Sequence, residues 1–130
     1  MDAGTAGTMS AGQTILLVVQ DLIFGVRIAD AARALGFKPV DVDLRALPAA
    51  VNSDTALVVL DTGHRGDWQA AVRALKSDPC TAAIPVLAYG SHVDVTALRA
   101  AVDAGCDRLV TRGKLMAELP QLIQATARQT

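Results

Sequence analysis

Four places along the sequence carry side chains suited to chemistry on an oxygen-rich ligand: Asp21, Asp61, the Gly90–Ser91–His92 segment and Arg112. Carboxylates such as Asp21 and Asp61 bind hard cations through oxygen, and they also act as nucleophiles. An arginine pairs with carboxylates and oxyanions through a planar fork of donors. Ser91, His92 and Arg112, with His64 nearby, could gather an anion against a helix start. The same residues serve equally well as a helix cap and solvated side chains. Gln20, beside Asp21, offers an amide oxygen but no charge. No nucleophile–base–acid spacing, metal-ligand cluster or glycine-rich nucleotide fingerprint is present, and an enzyme is not expected.

These residues gain meaning from the elements that carry them. Ile15–Val19, Ala56–Leu60 and Ile84–Ala88 are short aliphatic runs rich in β-branched residues, as expected of strands buried on both faces. Arg108–Val110 is a shorter one. Lys38–Asp43 alternates apolar and acidic residues around Pro39, which suits an edge strand. Between them lie helical stripes: Phe24, Ile28, Ala31 and Leu35; Trp68, Ala71, Val72 and Leu75; Val95, Leu98, Ala101 and Val102; and Leu115, Leu119, Leu122 and Ile123. Gly36 and Gly105 supply helix stops, Asp67 and Asp94 supply caps, and Pro120 either kinks the last helix or restarts it. Leu44–Asn52 is a weak helix interrupted by Pro48. Strict alternation of strand and helix predicts a doubly wound α/β domain. Its five-stranded parallel sheet has helices on both faces. The acidic edge strand comes second, which favours order 2-1-3-4-5 with the switch point between the first and third strands. Asp21, Asp61, Gly90–His92 and Arg112 then all fall at carboxyl ends of strands, around one crevice.

Composition narrows the class. The chain has 130 residues, 52% hydrophobic but only 3% aromatic, so a single core of Ala, Val, Leu and Ile is expected. The 12 basic and 13 acidic residues are dispersed, giving a net charge of −1 and arguing against nucleic acid as a partner. Cys80 and Cys106 lack metal-site spacing and read as reduced thiols of a cytoplasmic protein. No apolar run is long enough to cross a membrane. Residues 1–12 read as a disordered tail and 13–130 as the domain.

Over nearly its whole length the sequence resembles the receiver domains of two-component response regulators, a flavodoxin-like family. Leu16–Asp21 resembles the first receiver strand and its acidic pair, and Leu57–Asp61 the strand that ends in the phosphoacceptor. Leu75–Ala88 and Ala104–Asp107 are the most specific matches, because they include loop residues that burial does not dictate. The resemblance implies that Asp61 is the phosphoacceptor candidate, with Asp21, Asp61 and Gln20 as metal candidates. It places the switch hydroxyl position on Gly90, the lysine position on Arg112 and the switch aromatic position on Leu109. Four of these departures matter: a neutral Gln20, no hydroxyl at Gly90, a guanidinium at Arg112 and no ring at Leu109. No cofactor is then required, and magnesium, which prefers carboxylate oxygen, would bind only weakly. The reading is an atypical, pseudo-receiver module, monomeric or homodimeric, that binds a histidine kinase or a downstream signalling protein. Contact through the fourth and fifth helices or Leu22–Phe24 is expected. Alternatives are a phosphorylatable single-domain regulator using Asp61, and a sensor of small anions at Ser91, His92 and Arg112. A bidentate Arg112–Asp61 pair closing the crevice would favour the first, and an open acidic pocket the second.

Overall fold

The computed structural model describes residues 13–63 and 66–128. The expected tail and His64 lie outside the described residues. Five parallel strands, β1 (Thr14–Val18), β2 (Lys38–Asp41), β3 (Thr55–Asp61), β4 (Val86–Gly90) and β5 (Arg108–Thr111), pair in the order β2-β1-β3-β4-β5. This is the expected doubly wound architecture. The aliphatic strand β3 is buried along its whole length at the centre, while β2 carries Pro39 and Asp41 on the edge.

Helices α1 (Leu22–Ala34), α2 (Leu47–Ala50), α3 (Trp68–Ser77), α4 (Val95–Ala104), α5 (Arg112–Ala117) and α6 (Leu119–Thr126) fill the crossovers, and a 3-10 turn at Leu44–Ala46 leads into α2. One core layer packs Ile28 and Ala32 of α1 with Leu115, Leu119, Leu122 and Ile123 against Ile15, Leu57, Val59 and Tyr89. The other packs Leu44, Leu47, Val72, Leu75 and Ala104 against Val18, Val58, Leu60 and Ala88. Each buried leucine or isoleucine contributes roughly 1.5–3 kcal/mol of transfer free energy. Pro120 sits in the first turn of α6, so the final helical segment restarts there rather than kinking.

Two expectations change. The fourth strand runs from Val86 to Gly90, two residues later than the apolar run suggests. Pro85 has no amide proton, and the Ile84 carbonyl accepts from the Lys76 ammonium at 2.7 Å. The Val86 amide instead donates to Asp107 Oδ2 at 2.8 Å, where the strand begins. Gly90 is therefore the last residue of the strand, not the first of a turn.

The stripe on α4 holds only at Ala101. Ala101 and Ala104 are the buried residues, while Val95 and Val102 are 71% and 64% exposed and Leu98 is exposed as well. Alanine lets the helix approach closely, so the small residues face inward and the aliphatic ones face out.

Both cysteines are free. Cys80 is exposed, whereas burial and then the Asp107 carboxylate push the half-buried Cys106 thiol up to about 11. The folded state thus holds Cys106 as the unreactive thiol at pH 8. Iodoacetamide at that pH is expected to alkylate Cys80 first and Cys106 only on unfolding. Equal rates by peptide mass spectrometry would contradict this burial.

Candidate functional site

The strand register determines which side chains meet. Leu17 pairs with Val59 and Val18 with Leu60, so Gln20 and Asp21 lie just beyond the end of β1 beside Asp61. Asp61 pairs with Tyr89 on the other side, and Gly90 with Thr111, the residue before Arg112. Gln20, Asp21, Asp61, Gly63, Ser91 and Arg112 line a crevice of about 410 Å3 at these carboxyl ends. Sequence position alone placed five of these six residues together. Gly63 is the addition, brought in by the bend that follows β3.

Asp61 is only 8% exposed, at the end of a fully buried strand. Its Oδ1 accepts a hydrogen bond from the Gly63 amide at 2.8 Å, which fixes the carboxylate and leaves Oδ2 without a hydrogen-bond partner among the described residues. Asp21 has two commitments. Oδ1 caps α1 by accepting from the Phe24 amide at 3.0 Å, and Oδ2 lies 3.5 Å from the Arg112 guanidinium.

Arg112 opens α5, which Thr111 caps through the Lys114 amide. Its guanidinium carbon lies 4.6 Å from the centre of the Phe24 ring, a cation–π contact. Phe24 in turn stacks on Tyr89 with ring centres 5.7 Å apart. The bidentate Arg112–Asp61 pair does not form, because the Phe24 ring and the Asp21 carboxylate draw the guanidinium toward α1. The crevice stays open. Tyr89, the inner ring of this stack, is fully buried, and its hydroxyl has no hydrogen-bond partner among the described residues. Burial and then the Asp61 carboxylate push that hydroxyl well above the ordinary phenol range, so it remains protonated.

At Gly90, the space for a side chain is already taken. A Cβ placed there would lie 2.5 Å from Thr62 Oγ1, and that hydroxyl donates to the Tyr89 carbonyl at 3.0 Å. Thr62 was not singled out by its sequence. It follows β3 and lies against Gly90 of the neighbouring strand, and only the packing of the two segments reveals the exchange. Ser91 lines the crevice, but His92 is exposed and outside that lining. Asp94, not Ser91, caps α4 by accepting from the Ala97 amide at 2.8 Å. Leu109 is half-buried against the second core layer. Leu22 and Ile23 are exposed, while Phe24 packs on the first core layer as an ordinary helix-stripe residue would.

No family model matches the sequence, and no curated protein matches it. Solved structures do. A chemotaxis protein of Vibrio cholerae superposes with a TM-score of 0.76 at 14% identity, over 87% of this chain and 97% of that one. The fold is that of response-regulator receiver domains. The receiver domain of a sensor histidine kinase from Pseudomonas aeruginosa, with magnesium coordinated in its active-site cleft, gives 0.74 at 21% identity, covering 88% and 96% of the two chains. An orphan response regulator of H. pylori gives 0.72 at 18% identity, covering 88% and 96%.

The donors in this crevice do not suit a resident divalent ion of that kind. Among the described residues no three His, Cys, Asp or Glu side chains converge. Gln20 is neutral, and both oxygens of Asp21 are engaged, one by an amide and one by a guanidinium. Among the described residues, what remains is one unengaged carboxylate oxygen on Asp61, in an open and otherwise polar pocket.

Proposed function

We propose that this receiver-fold chain is a signalling module that works by binding another protein, without aspartyl phosphorylation as its switch. One observation carries this reading: the Arg112 guanidinium is engaged by Asp21 and Phe24, and it makes no ion pair with Asp61 among the described residues. An acceptor carboxylate needs nearby positive charge to offset what a phosphoryl group brings and develops. Arg112 spends its charge on Asp21 instead. The hydroxyl missing at Gly90 and the leucine at Leu109 support the same reading, since neither can follow a phosphoryl group. The exposed Val95, Leu98 and Val102 face of α4 is the surface we assign to the partner, a histidine kinase or a downstream signalling protein.

A second reading has its own support. The Asp61 Oδ2 atom is unengaged and faces an open crevice of about 410 Å3, so it could attack a phosphodonor. In that step the carboxylate oxygen would bond to phosphorus while the donor's leaving group departs with the bonding pair.

Incubation with acetyl phosphate and 10 mM magnesium, followed by intact-mass spectrometry, separates the two. We expect no stoichiometric gain of a phosphoryl mass. A full gain that disappears in Asp61→Asn would overturn the proposal and establish the second reading. A third reading, anion sensing at Ser91, His92 and Arg112, loses support because His92 is outside the crevice lining.

A further inference from the structure

We infer that Arg112 is the crevice's own cation: it holds the Asp21 corner that a divalent ion would otherwise take, and a metal binds there only by displacing it. Two contacts fix the guanidinium, and a third braces the ring it stacks on. Its Nη2 lies 3.5 Å from Asp21 Oδ2, its carbon lies 4.6 Å from the Phe24 ring centre, and Phe24 is braced by Tyr89 at 5.7 Å. A planar, permanently charged group can satisfy a carboxylate and a ring face together, whereas a lysine ammonium has no plane to stack. The aromatic shelf therefore selects arginine at this position.

Charge gives the consequence. Asp21 and Asp61 bring two negative charges to the crevice, and Arg112 returns one positive charge. With Gln20 neutral, an entering metal meets half the charge that two free carboxylates would present. The other Asp21 oxygen cannot compensate, because the Phe24 amide holds it at the start of α1. Magnesium demands oxygen ligands in near-octahedral array and gives up its waters reluctantly, so the loss of one carboxylate oxygen weighs heavily. The ion pair and the ring contact are both partly solvated. Each is modest alone, and together they handicap a metal by about ten-fold in affinity.

This inference deepens the proposed function but does not depend on it, because metal binding is read without any phosphodonor. Manganese would be titrated into the full chain and followed by water-proton relaxation, with magnesium competition as the second readout. Arg112→Gln keeps a shorter polar stem and removes the charge, and Arg112→Ala also clears the space. Both are expected to bind manganese about ten-fold more tightly than the unmodified chain, with the gain abolished by adding Asp21→Asn. Equal or weaker binding by the folded Arg112→Gln variant would overturn the inference, as would a gain that survives Asp21→Asn. A phosphorylated Asp61 in the acetyl phosphate experiment would overturn the proposed function and leave this titration unaffected.

Discussion

Lys76→Met is expected to cost about 3 kcal/mol of stability and to lower the melting temperature by about 10 °C. Lys76 lies in the last turn of α3, and its ammonium donates to the Ile84 carbonyl at 2.7 Å, the Ala82 carbonyl at 3.2 Å and Asp107 Oδ2 at 2.9 Å. The same Asp107 oxygen accepts from the Val86 amide at 2.8 Å, at the first residue of β4. One ammonium thus ties together α3, the loop into β4 and the turn into β5. Hydrogen bonds to a charged group are worth about 1.5–3 kcal/mol, and here a lysine only 19% exposed serves two carbonyls and a carboxylate that is 45% exposed. Methionine keeps most of the stem volume, so the loss isolates the ammonium from its packing. Gly105 belongs to the same knot. Its φ is +107°, and a Cβ there would come within 2.8 Å of Lys76 Cγ, so only glycine allows the lysine to pass. Urea unfolding followed by circular dichroism measures the cost. A loss below about 1 kcal/mol would mean that water replaces the ammonium at these carbonyls.

This knot explains what the sequence could and could not reveal. The two most specific stretches of resemblance, Leu75–Ala88 and Ala104–Asp107, are its two sides. They meet at the beginning of β4, while the crevice lies at the other end of that strand. Their match to receiver domains therefore supports the fold and says nothing about phosphoryl chemistry. The sheet order was legible because aliphatic strands and an acidic edge have distinct patterns. The inward face of α4 was not, because period locates a stripe but does not say whether alanine or valine packs closer. The partner of Arg112 was equally hidden. Strand ends brought it near both aspartates, and the choice between them rests on Phe24, whose ring position depends on how α1 docks.

The exchange of a hydroxyl between the residue after β3 and the last residue of β4 gives the last expectation, and it bears on the chemistry as well as on stability. The Thr62 amide and hydroxyl both donate to the Tyr89 carbonyl, at 2.9 and 3.0 Å. Thr62 Oγ1 also occupies the space of any side chain at Gly90. Gly90→Thr alone should therefore overpack the end of β4 and cost about 1–3 kcal/mol. Thr62→Ala alone removes one of two hydrogen bonds to a carbonyl that keeps the other, at a cost of about 0.5–1 kcal/mol. Combined, the two substitutions should cost less than their sum by about 1–2 kcal/mol, because the space vacated at Thr62 receives the new side chain on β4. A thermal-denaturation double-mutant cycle measures that coupling. Strictly additive costs would show that the Thr62 side chain rotates away freely, and the idea of a mutual exclusion at this pair would fall. If the coupling is found, the double variant has a hydroxyl on the last residue of β4 and nothing competing for its place. Gly90 is then the result of a hydroxyl supplied from the residue after the neighbouring strand and turned onto a backbone carbonyl. In that orientation it holds the ends of β3 and β4 together, and its proton is committed to Tyr89 rather than to a group on Asp61.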